Sequence, residues 1–230
     1  MLDRPGREKR WTGLISVVFI TGVAALAACG GQSAAVLGTP ESSAKAFAEE
    51  ITVGISMYLL VDDLENPDTT LSSHRSEEEL AVILAGMNEI WGQAGIHLEL
   101  ANLETIVVDA DVLAQVAKGD IRAFFDRLGG TIPFNVTGPE SSLISGFYTR
   151  RIGGSNGITP LGTGWYMVMD EPSVFDRRVS SHEVGHILGL RHVFEDPGRL
   201  LYPGTNGMSL TPGEITLTRY VAMELMKAKR

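Results

Sequence analysis

A single cysteine, Cys29, stands among 230 residues, so no disulfide can form within the chain and stability has to come from packing. Aromatic residues are scarce too, at 7%, but the hydrophobic share of 44% is ample for a core, which excludes global disorder. Positive charge is also short. Lys and Arg number 19 against 28 Asp and Glu, a formal net charge of −9. The first 28 residues take 4 of the basic and 2 of the acidic groups, leaving 15 against 26 and a net −11 for the rest. Such a body has no electrostatic footprint for a phosphate backbone, which argues against a nucleic-acid partner. It favours solubility and basic substrates. No internal repeat is visible, and nothing in the pattern specifies an oligomer.

The setting of the one cysteine is informative. A basic N-terminus (Arg4, Arg7, Lys9, Arg10) precedes an apolar run from Trp11 to Ala28 that grows richer in small residues, the anatomy of an export signal. The run ends Leu26-Ala27-Ala28-Cys29-Gly30, which resembles the lipobox of bacterial lipoproteins. That resemblance implies removal of residues 1–28 as a signal peptide and acylation of the Cys29 thiol. It places the protein outside the cytoplasm, lipid-anchored in the bacterial cell envelope, and Gly30 after the cysteine points to the outer membrane. The other reading is a plain transmembrane anchor, for which the apolar run is at the short limit. Residues 29–48 are small and polar (Gln32, Ser33, Thr39, Pro40, Ser42, Ser43) and read as a tether, followed by a folded domain over 49–230.

Within that domain, Ile51, Val53, Ile55, Met57, Leu59 and Val61 alternate as in a strand that stops at Asp62-Asp63. Ser76 with Glu79 forms a capping box, and Leu80, Ile83, Leu84, Met87, Ile90 and Trp91 follow at helical spacing. A half-buried second strand starts at Ile96, Leu98 and Leu100 and runs towards Val107. Short helices are expected over Asp111 to Leu128, a third strand near Ile132 to Val136, and a buried strand at Trp165 to Met169. Thr211-Pro212-Gly213-Glu214 starts a capped amphipathic C-terminal helix, with proline at its first position.

The chemistry lies between the last two elements. Residues 182–192 read His182-Glu183-Val184-Gly185-His186-Ile187-Leu188-Gly189-Leu190-Arg191-His192, the pattern HExxHxxGxxH. On a helix, His182 and His186 project from one face and form a bidentate metal clamp. Ser180 or Ser181 can cap that helix, Gly189 can end it in the left-handed conformation, and His192 can return to complete a triangle. Three neutral imidazoles leave a fourth tetrahedral position open, as in a catalytic zinc site. Glu183, beside the first ligand, is placed as general base. By chance the full pattern arises in roughly one chain in a hundred thousand of this length. Incidental surface histidines are therefore a poor explanation, the more so because three of the five histidines lie within eleven residues.

This pattern resembles the metzincin clan of zinc peptidases, and the order of elements matches it over about residues 50 to 230. The resemblance implies an α/β fold: a twisted, mixed sheet of about five strands, mostly parallel with one antiparallel edge, an active-site helix and a C-terminal helix. It implies a zinc metalloendopeptidase with one catalytic Zn2+ on His182, His186 and His192, Glu183 as base, and a peptide or protein substrate laid along an edge strand. Gly157 to Gly164 is the candidate edge. The segment Asp196 to Gly204 followed by Leu210-Thr211-Pro212 is similar to the Met-turn and final helix of matrixin-like members.

Several departures go with it. Leu201 stands where the turn methionine is expected, nearly conserving its volume as an apolar floor below the metal. Met208 fits that register less well. Tyr202 and Pro203 become possible walls of a substrate pocket. The matrixin latency cysteine is absent, since the lone thiol belongs to the anchor. His74 and His97 are too few for a second, three-histidine zinc, and read as a polar-loop residue and a solvated strand residue; calcium stays open. Asn135-Val136-Thr137 matches a glycosylation acceptor without meaning in a bacterial chain. Two rival readings remain beside the peptidase: a catalytically inactive zinc-binding lipoprotein, and an interaction module whose metal only staples helix to loop.

Overall fold

The computed structural model describes residues 49–128, 144–172 and 175–228. The expected signal peptide, Cys29, the tether and the strand near Ile132 to Val136 lie outside these residues. Among the described residues, no helix is long and apolar enough to cross a membrane.

The fold is mixed α/β, built on one five-stranded sheet. Its strands are β1 (Ile51–Val61), β2 (Ile96–Val107), β3 (Ile144–Thr149), β4 (Gly157–Ile158) and β5 (Trp165–Met169), in spatial order β2-β1-β3-β5-β4. All neighbours pair in parallel except β4, which runs antiparallel to β5 at the edge. A bulge shifts the β1–β2 register after Ile55, where Ser56 faces Asn102 instead of Ala101.

The alternation along β1 marks two buried faces. Val53, Ile55, Met57 and Leu59 join one core, whereas Tyr58 and Leu60 join the other. The first core is closed by α1 (Glu77–Trp91), the motif-bearing helix α4 (Asp176–Ile187) and the C-terminal helix α5 (Pro212–Ala228); α2 (Ala110–Val116) and α3 (Ile121–Leu128) cover the second. A strand flanked on both sides cannot show a polar face, which is how parallel sheets are commonly built. Burying side chains such as Trp91, Leu80 and Met87 stabilises by roughly 1.5–3 kcal/mol each before entropy is counted.

Local signals set the helix starts. At α1 both halves of the box form: the Glu79 amide donates to Ser76 Oγ at 3.2 Å and the Ser76 amide to Glu79 Oε2 at 2.8 Å. At α5, Thr211 and Glu214 make the same reciprocal pair, and Pro212 is the first helical residue. Capping of α4 by Ser180 or Ser181 is corrected. That helix begins at Asp176, and both serines are fully buried inside it. The reason is apolar packing of Val179 into the first core, which extends the helix a turn beyond the metal motif. Strand β3 was not expected from sequence; Ser145-Gly146 lie in its first half and every residue is buried, so no periodicity marks it.

Candidate metal centre

Helix α4 carries the first two imidazoles one turn apart, with ring centroids 4.9 Å from each other. The helix stops because Gly189 takes φ +88°. The Gly189 amide donates to the His186 carbonyl at 3.1 Å and the Leu190 amide to the Gly185 carbonyl at 2.8 Å, the paired bonds of a Schellman ending. A side chain would strain that left-handed position. The reversal returns the chain so that His192 faces the helix, its ring centroid 5.1 Å from His182 and 4.8 Å from His186.

The outer ring nitrogens are fixed by carbonyls. His182 Nδ1 donates to the Leu200 carbonyl at 2.8 Å, and His186 Nδ1 to the Leu190 carbonyl at 3.0 Å. With the proton on Nδ1, each Nε2 presents a lone pair inwards. His192 Nε2 lies 3.1 Å from that of His182 and 3.3 Å from that of His186, and one ligand atom from each ring falls within 4.8 Å of the others. Nitrogens bound at about 2.0–2.1 Å to one tetrahedral zinc sit about 3.3 Å apart. Lone pairs that face one another repel unless a cation lies between them, so the donor set fits a zinc ion. His182, His186 and His192 would hold it.

Burial keeps these groups in the form a metal needs. Desolvation, opposed by the Leu200 bond and reinforced by Arg178, pushes the His182 pKa down to about 3, and desolvation also lowers that of His192. Both rings stay neutral near pH 7. Glu183 moves the other way: desolvation raises its carboxyl to about 7, against the Thr159 hydrogen bond and the Arg178 charge, which lower it. Only 6% of Glu183 is exposed. Its Oε2 accepts from Thr159 Oγ1 at 2.8 Å.

Leu201 is fully buried and faces Gly185, where an added Cβ would fall 2.9 Å from its Cδ2. Met208 instead packs against the first core, and its carbonyl accepts from Gln93 Nε2. Tyr202 and Pro203 are half-buried after Leu201. The Tyr202 ring lies 6.3 Å from that of Phe194, which is 6.4 Å from His192 and 70% exposed. His74 and His97 are exposed and do not join the cluster. The candidate edge at Gly157 to Gly164 contains β4, the antiparallel edge strand.

Two contributors went unnoticed in the sequence. Arg178, buried in α4, donates to the carbonyls of Leu200, Tyr202 and Gly207, pinning the segment below the site. Burial lowers its pKa, while Glu183 opposes that shift. Thr159 is the other. The only available cue to it was its place within the suspected edge segment.

No family model matches the chain, and no curated protein matches it. Among solved structures, the chain is similar to one from a chaperone–substrate complex, with a TM-score of 0.49 and 12% identity, covering 76% of this chain. It spans 35% of the length of that chain. It is also similar to the crystal structure of archaemetzincin from Methanopyrus kandleri, with a TM-score of 0.41 and 16% identity over 79% of this chain and 97% of that one.

Proposed function

We propose that this chain is a zinc-dependent endopeptidase of metzincin type, lipid-anchored through Cys29 outside the cytoplasm. The observation that carries the reading is the convergence of three imidazoles beside the buried carboxyl group of Glu183, which lies on the helix that carries two of them. A structural staple has no use for that carboxylate, whereas hydrolysis does.

Zinc, when bound there, supplies a Lewis acid for water and for the scissile carbonyl. Glu183 accepts a proton from the water as its oxygen adds to the carbonyl carbon. When the C–N bond breaks, Glu183 delivers that proton to the departing amine nitrogen. Burial raises its proton affinity towards neutrality, which suits a group that has to take a proton and give it back. The carbonyls of Leu200 and Leu190 hold His182 and His186 in the tautomer that would leave Nε2 free to bind a metal. Tyr202 and Pro203 are the proposed pocket walls.

The test is Glu183→Ala in the purified protein. It should retain about one zinc per chain while cleavage of an unstructured protein falls by at least about a hundredfold. Full activity in that variant rules out the mechanism. Zinc-replete wild-type protein that is inert against a broad peptide library would instead favour the inert zinc-binding lipoprotein. Mass spectrometry of the membrane fraction should find the N-terminal Cys29 acylated, and Cys29→Ala should abolish that modification.

A further inference from the structure

We propose that the edge segment opened by β4 is the positioning element for Glu183, with Gly157 of the strand admitting its carboxylate and Thr159, the residue just past the strand, holding it. The part of this proposal that concerns turnover rests on the peptidase reading; the part that concerns the carboxylate does not.

Gly157 and Thr159 both meet Glu183, whereas Ile158 between them packs against the second core, so the alternation of β4 carries on one residue past the strand. The face of 157 and 159 is turned to α4. A Cβ built on Gly157 would lie 2.8 Å from Glu183 Oε1, 2.9 Å from Cγ and 3.0 Å from Cδ, so any side chain there would displace the carboxylate. Two residues on, Thr159 Oγ1 is 2.8 Å from Glu183 Oε2 and 3.1 Å from the Glu183 carbonyl oxygen. Gap and donor thus come from one short edge segment, Gly157 in β4 and Thr159 just past it, and meet one side chain.

Each feature has a physical purpose. A glutamate has several rotatable bonds, and confining it to a single pose costs conformational entropy. A carboxylate that is 6% exposed also needs a donor, because burying it without one is costly. Threonine is stiff at χ1, so the backbone of the strand fixes where its hydroxyl sits. Thr159 makes no hydrogen bond to an imidazole and acts through Glu183; it is a positioning residue. The short β4 is paired to the sheet through β5, so the pose of the carboxylate follows the placement of this edge.

The experiment compares Thr159→Val, which keeps shape and stiffness but loses the hydroxyl, with Thr159→Ser, which keeps the hydroxyl. Gly157→Ala, which fills the gap and leaves the hydroxyl, is the third variant. All three should bind about one zinc per chain. Thr159→Val and Gly157→Ala should lose about tenfold or more in kcat with KM changed less than about twofold, and Thr159→Ser should recover most of the rate. In zinc-free protein, Thr159→Val should lower Tm more when Glu183 is present than in a Glu183→Ala background, where only the main-chain carbonyl of residue 183 is left to accept from the hydroxyl. Equal Tm losses in both backgrounds, or unchanged kcat in both Thr159→Val and Gly157→Ala, overturn the proposal. A wild-type protein that cleaves nothing but keeps the background-dependent Tm loss sinks the peptidase reading and upholds β4 as the holder of Glu183.

Discussion

Arg178 and His182, one turn apart on α4, share a single acceptor: the Leu200 carbonyl takes Arg178 Nη2 at 2.8 Å and His182 Nδ1 at 2.8 Å. A fixed positive charge therefore holds the oxygen that orients the His182 ring. The same guanidinium reaches the carbonyls of Tyr202 and Gly207, so one buried side chain ties the ligand helix to the segment beneath it.

Replacing Arg178 with methionine removes this donor from the Tyr202 and Gly207 carbonyls and leaves the Leu200 carbonyl with His182 alone. Zinc affinity should fall about 10–100-fold, the usual effect of losing a partner that orients a ligand. Chelator-competition titration measures it. Arg178→Lys should recover only part of the loss, because a single ammonium lacks the planar fork that serves several carbonyls.

Metal should stabilise the fold by mass action. With free zinc at a hundred times its Kd, the wild-type protein should gain about 2.7 kcal/mol, read as a rise in Tm that chelator reverses. His182→Ala should lose most of that rise. An equal rise in wild type and variant would place the bound zinc elsewhere.

Leu201 supports the site by volume. Leu201→Met should cost less than about 1.5 kcal/mol and keep zinc, since methionine conserves size. Leu201→Ala should cost about 2–5 kcal/mol through the cavity opened beside Gly185. Urea denaturation of the zinc-free protein gives both values.

Two buried groups set an opposed pH dependence in the zinc-free protein. The Glu183 pKa is raised from 4.5 to about 7, so between these values the folded state holds a proton that the unfolded state has lost, and stability falls as pH rises. The His182 pKa is lowered from 6.5 to about 3; its contribution is present above 6.5 and is lost as pH falls towards 3. The two slopes largely cancel between pH 4.5 and 6.5. Glu183→Gln should remove the first alone, so its stability relative to wild type should climb from pH 4.5 to 7 by an amount on the order of 3 kcal/mol. Thermal melts across that range check the sign; a gap that is constant with pH contradicts the buried, proton-holding carboxyl.

Features governed by near neighbours were legible in the sequence. The Ser76–Glu79 box, the proline start of α5, the turn at Gly189 and the shared face of His182 and His186 each need only a few residues of chain. Strand β3 was missed because it lies between β1 and β5 and is buried along its whole length, which erases the alternation that reveals a strand. Arg177 and Arg178 look alike on paper. The first is partly exposed and pairs with Glu89 at 2.8 Å, while the second is buried and donates to the carbonyls of Leu200, Tyr202 and Gly207.

The sequence by itself determined which imidazoles could meet and which carboxylate would stand beside them, because helical spacing is a property of the local backbone. Tertiary structure alone decided what holds them. The carbonyl that orients His182 is 18 residues away and the hydroxyl that holds Glu183 is 24 residues away, and no local pattern encodes such a meeting. Those partners arrive only when the sheet and α4 pack together, and burial then sets the proton affinities of the site.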